Sequence, residues 1–232
     1  MEAPGVGEVS AERRDSTTAE TTHIPRTWQL FLLLVCAALA LSWYQRDFIM
    51  TREVYHHLFG DRVGAERIDD HFDQLRQTAK WGYLAVPVFV GLRVGFVAIL
   101  VQLYALLVLQ ELRLSLLFRA ACWAYPALLY GMLVRTIVLA RVGADRIEIP
   151  DLSFVPGSVS AFLLDASEYR SWMYNLLNFF NPSEVLWCAA LYIALRTAGR
   201  LGSPLRIGLV LAVWSTTTLL QWGTTMFLVT IR

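Results

Sequence analysis

Arg93, Arg135 and Glu184 are the side chains whose type and setting could do chemistry, because each falls within or at the edge of a long apolar run. A guanidinium near the centre of a bilayer costs about 3 kcal/mol on insertion scales and more in simulation, so Arg93 needs a partner. Connectivity narrows the choice: the second apolar run begins, the third ends and the fourth begins on one membrane face. Arg93 and Arg135 therefore lie toward the face that carries Glu184 and the acidic connection with Asp165 and Glu168. This predicts a buried Arg93–Glu184 pair joined by Arg135, which could line a polar path for a solute or serve structure alone. In the simpler alternative, Arg135 snorkels to the interface and Arg93 bonds carbonyls loosened by Pro87 or Pro126.

Other constellations carry less. His56, His57 and His71 with Asp69, Asp70 and Asp73 offer metal-ligand types, but their spacing matches no chelating pattern and reads as a solvated helix face. No metal or cofactor is expected. The chain has no G-x-S-x-G, P-loop, dinucleotide fingerprint or paired cysteines at metal spacing, so no catalytic residue is assigned. Cys36, Cys122 and Cys188 each sit in an apolar run, where a thiol packs as a small hydrophobe.

Five apolar stretches must position these groups. Hydrophobic residues make up 56% of the 232-residue chain and charged residues 17%, against roughly 25% charged in soluble proteins. The fold expected is all-α, a polytopic membrane bundle of five transmembrane helices. A net charge of +1 gives no reason to expect a nucleic-acid partner. Residues 1–26 are too polar to bury a core and read as a disordered tail. Residues 27–44 form the first span, an uncleaved anchor because the acidic tail before it is unlike a short basic leader. Further spans are expected at about 81–109, 114–140, 182–198 and 205–230.

Local signals sharpen these boundaries. Asn181 as N-cap, Pro182 at the first helical position and Glu184 three residues after the cap mark the start of the fourth span. That capping role alone could explain Glu184. Pro126 removes the donor for the Cys122 carbonyl and predicts a helix kink. Thr216 to Thr218, with Thr224 and Thr225, give the last span a protein-facing side. Within 45–80, Ile68, Phe72, Leu75 and Ala79 recur at helical spacing, which predicts an amphipathic helix on the membrane surface. Residues 150–181 are apolar but interrupted by Pro156, Gly157, Asp165 and Glu168, as in interfacial or re-entrant segments. Arg113, Arg119, Arg196, Arg200 and Arg206 favour an inside N-terminus, although six basic residues between Gln45 and Lys80 argue against it.

The stretch from Trp172 through Asn175, Asn178, Phe179, Asn181, Pro182, Ser183 and Glu184 to Trp187, followed by a short span, a Gly/Pro connection and a final span, resembles the Yip family. The resemblance implies a five-helix membrane protein with a cytoplasmic N-terminus, of a bacterial type without an assigned activity; eukaryotic members partner Ypt/Rab GTPases. The family's D-L-x-G-P and glycine-tyrosine hairpin motifs are absent, and no catalytic residues carry over.

The functional expectation is a non-catalytic scaffold or assembly partner in the bacterial inner membrane, bound to the lipid bilayer and to a protein partner or a second copy. The alternative is a transporter subunit with a polar path lined by Arg93, Arg135 and Glu184.

Overall fold

The computed structural model describes residues 27–60, 64–143, 146–168, 170–198 and 201–230. The expected tail at 1–26 lies outside them. Among the described residues the chain is helical with no strand: α1 (Thr27–Tyr44) runs into a π-helical turn (Gln45–Ile49), followed by α2 (Arg52–Phe59) and α3 (Ala65–Leu107). Then come α4 (Leu114–Ala124), α5 (Pro126–Val142), three short helices, α6 (Ile149–Ser153), α7 (Val159–Leu163) and α8 (Trp172–Leu177), and finally α9 (Pro182–Ala198) and α10 (Ser203–Thr230).

Among the described residues, four helical stretches are long and apolar enough to cross a bilayer: Thr27–Ile49, Ala65–Leu107, Leu114–Val142 and Ser203–Phe227. Their outward faces stay apolar. Leu84, Phe89, Leu92, Ile99 and Leu107 of α3 are all more than half exposed, as are Leu33 of α1 and Leu219 of α10. Water would not tolerate such continuous bands, whereas hydrocarbon matches them, so the protein is membrane-embedded.

The core lies between the helices. Leu30, Leu34 and Ala38 of α1 meet Val90, Val94, Val97 and Val101 of α3, one apolar stripe against another. Ala120, Ala121 and Ala124 let α4 approach closely, and Trp187, Leu191 and Leu195 of α9 fill the space they leave. α9 packs along both α4 and α5, while α10 packs against α3 and α9.

One expectation changes. The amphipathic stretch at 45–80 is not a separate surface helix: α3 is one helix of 43 residues that continues from Ala65 into the apolar span. No proline separates Thr78 from Gly82, so nothing interrupts its hydrogen-bond ladder there, and the amphipathic part continues along the axis of the apolar part. It buries Ile68 and Ala79, and packs against α2. At Pro126, where the sequence predicts a kink, the third apolar run divides into α4 and α5. Tyr125 keeps helical angles (φ −58°, ψ −34°), and Pro126 opens the new helix at its first position, leaving the Cys122 carbonyl without its usual donor.

The end of α3 has a backbone irregularity. Leu109 adopts φ +57°, and the next residue, Gln110, closes the helix with an N–H bond to the Ala105 carbonyl at 2.9 Å. Glycine normally fills that left-handed position because a Cβ costs about 1–2 kcal/mol there. The Leu109 side chain is 91% exposed and contributes little packing. Leu109→Gly is therefore expected to stabilise the protein by about 1 kcal/mol, read as a raised melting temperature in detergent.

A charged cavity at the start of α9

A polar framework sets the N-terminus of α9. The Asn181 side-chain oxygen accepts the Glu184 backbone N–H at 3.0 Å and the Ser183 hydroxyl at 2.5 Å. The Asn181 amide donates back to the Asn178 carbonyl at 2.8 Å. Asn178 in turn accepts the hydroxyls of Ser160 (2.6 Å) and Ser158 (3.2 Å) and donates to the Ser153 carbonyl at 3.4 Å. Ser158 and Ser160 are fully buried. One asparagine thus ties α6, the turn before α7 and the approach to α9, satisfying polar groups that would otherwise be stranded.

Glycines permit the close approach. Gly157 adopts φ +73°, and a Cβ there would stand 3.1 Å from Pro182 Cγ. On α5, a Cβ at Gly131 would fall 2.5 Å from Ser183 Oγ. Gly131→Ala is expected to destabilise by about 1–3 kcal/mol, the range for overpacking. The companion change Ser183→Gly should restore most of the loss in a detergent thermal melt.

This framework places the Glu184 carboxylate facing α3. Its Oε1 lies 3.8 Å from the Arg93 guanidinium, with the two side chains 14% and 41% exposed, respectively. That is ion-pair reach, longer than a hydrogen bond. Arg135 does not join this pair: its guanidinium donates to the Leu152 carbonyl at the end of α6. All three charged residues nonetheless line one cavity of about 660 Å³ between α3, α5, α8, α9 and α10. A second cavity of about 520 Å³ lies on the α10 side, and Arg93, Tyr125, Glu184 and Gln221 border both. With two guanidiniums against one carboxylate, the larger cavity carries a net positive charge.

The histidines and aspartates considered as ligands lie elsewhere. His56 contacts Asp69 at 3.0 Å, and Arg52 reaches Asp73 at 2.8 Å and Asp69 at 3.5 Å, joining α2 to α3 through exposed pairs. Among the described residues no three His, Cys, Asp or Glu side chains converge. The sequence reading missed Asn178, Ser158 and Ser160. The available signal was three uncharged polar residues in otherwise apolar surroundings, which must pair with one another when buried.

Compared with protein-family models, curated proteins and solved structures, the chain matches none.

Proposed function

We propose that the chain is a five-span membrane protein that binds a small anionic or zwitterionic solute in the α9 cavity, as a component of a membrane transport system. The observation that carries this reading is the space around the charges: Arg93 and Glu184 border cavities of about 660 and 520 Å³. Intramembrane ionisable residues that face a cavity mark solute paths.

In this reading α9 is the fifth crossing helix. At 17 residues it is short, yet it lies antiparallel to α4–α5: Ser183 sits against Gly131, and Ala194 and Thr197 share a groove with Leu116 and Ala120. Its first turn meets Arg93, well inside α3, so α6 to α8 supply the outer depth. Non-helical backbone is tolerated there because it lines a cavity and is bonded by Asn178. The arginines around Arg113 and Arg206 support an inside N-terminus in a bacterial inner membrane, and the stretch Trp172 to Trp187 supports kinship with the Yip family.

The test is water access. In a chain with Cys36, Cys122 and Cys188 replaced, a cysteine at Gln221 should react with a membrane-impermeant anionic thiosulfonate in sealed vesicles. A cysteine at the lipid-facing Leu219 should not. Equal silence at both positions would mean a dry site and end the transport reading.

The scaffold reading has one feature of its own. Between α4 and α9 an outward groove of about 550 Å³ is lined by Ala120, Trp123, Ala190, Ile193 and Ala194, and small residues let a further helix approach closely. This reading expects replacement of Arg93 and Glu184 together by apolar residues of similar size to spare function, whereas the transport reading expects its loss.

A further inference from the structure

A separate cavity of about 880 Å³ lies where α1 gives way to its π-helical turn, between that turn, α2 and the middle of α3. Arg46, Arg52 and Arg76 line it, with Asp47 as the one acid of its wall among the described residues. Arg52 is already occupied by Asp69 and Asp73. Arg46 donates to the Leu75 carbonyl and lies 5.8 Å from the Tyr83 ring centre, which fixes its guanidinium while most of its five donors remain for other use. Arg76 has no ion pair among the described residues.

Two further observations point at an occupant. Thr51 and Tyr83 both line this cavity, and their hydroxyl oxygens are closed to solvent and have no hydrogen-bond partner among the described residues. Buried hydroxyls are rarely left so, because each forfeits its hydration for nothing. The depth is also informative: Trp43, Tyr44, Phe48 and Trp81 are exposed around this level, the aromatic belt typical of lipid headgroup depth.

We propose that this cavity binds a phosphate group. A phosphate offers enough acceptor oxygens to take guanidinium forks and two hydroxyl donors together, and Arg is the side chain suited to that bidentate geometry. It would neutralise the excess of Arg46 and Arg76 over Asp47. The group could come from a lipid headgroup or from a soluble phosphorylated compound, since both present the same oxygens.

Titration calorimetry on the full chain in neutral detergent distinguishes these sources with three probes: inorganic phosphate, dihexanoyl phosphatidylglycerol and uncharged dihexanoylglycerol. Binding of the phospholipid without inorganic phosphate assigns a headgroup, and comparable binding of both assigns a soluble phosphate. In either case Arg46→Gln/Arg76→Gln should weaken binding about tenfold or more, as loss of charge-assisted bonds implies. Thr51→Val/Tyr83→Phe, which keeps shape and charge, should weaken it several-fold with an unchanged melting temperature. If the arginine variant fails to fold, the hydroxyl variant decides. The proposal is overturned if neither phosphate probe binds, if dihexanoylglycerol binds equally well, or if the hydroxyl variant binds like the parent.

Discussion

Glu184→Leu should lower stability by about 1–2 kcal/mol, below the figure for a fully buried pair because the Arg93 side chain is 41% exposed. Arg93 is fixed to α3 in the middle of its apolar stretch and, among the described residues, has one acidic neighbour within ion-pair distance. Removing the carboxylate leaves the arginine facing cavity water or nearby carbonyls. Removing both charges is different: Arg93→Met/Glu184→Leu should recover most of the loss, since an apolar pair of similar volume needs no desolvation. Chemical unfolding in mild detergent of the two single variants and the double gives the coupling energy directly. Additive effects would mean that the two side chains do not sense each other at 3.8 Å.

Asn178→Ala should cost about 2–4 kcal/mol, the sum of several buried hydrogen bonds lost at about 1 kcal/mol each plus the penalty for stranded groups. Its amide links Ser153, Ser158 and Ser160, and its backbone carbonyl receives Asn181. Truncation leaves the Ser160 hydroxyl with Ser158 at 2.8 Å, and Ser158 with Ser160 and the Ala161 N–H at 3.4 Å. The damage should be local: limited proteolysis should cut within 150–171 in the variant before any helix of the bundle melts. Asn178→Asp should not substitute, because a carboxylate cannot donate to the Ser153 carbonyl. Parental stability in Asn178→Ala would remove this network from any account of how α9 is positioned.

Much of the architecture was legible because hydrocarbon imposes a simple rule on long apolar runs. The stretches around α1, α3, α4–α5 and α10 could be read from hydropathy alone, and the Asn181-Pro182 start of α9 from side-chain chemistry that acts over three residues. The proximity of Arg93 to Glu184 also followed from topology, since connectivity put both on one side. Three features were not legible, for separate reasons. The union of the amphipathic stretch with the second span depends on the absence of a breaker near Lys80, and periodicity does not report absences. The pairing of Arg135 with a carbonyl of α6 depends on how a long connection folds back. The Asn178 network joins residues up to 25 positions apart, beyond the reach of helical spacing.

Because α3 is one helix from Ala65 to Leu107, the arginine-rich hollow beside α2 and the Arg93–Glu184 pair are strung along a single rod, with Pro87 between them. Among the described residues no side chain borders both hollows, so the backbone of α3 is what sets the spacing between them.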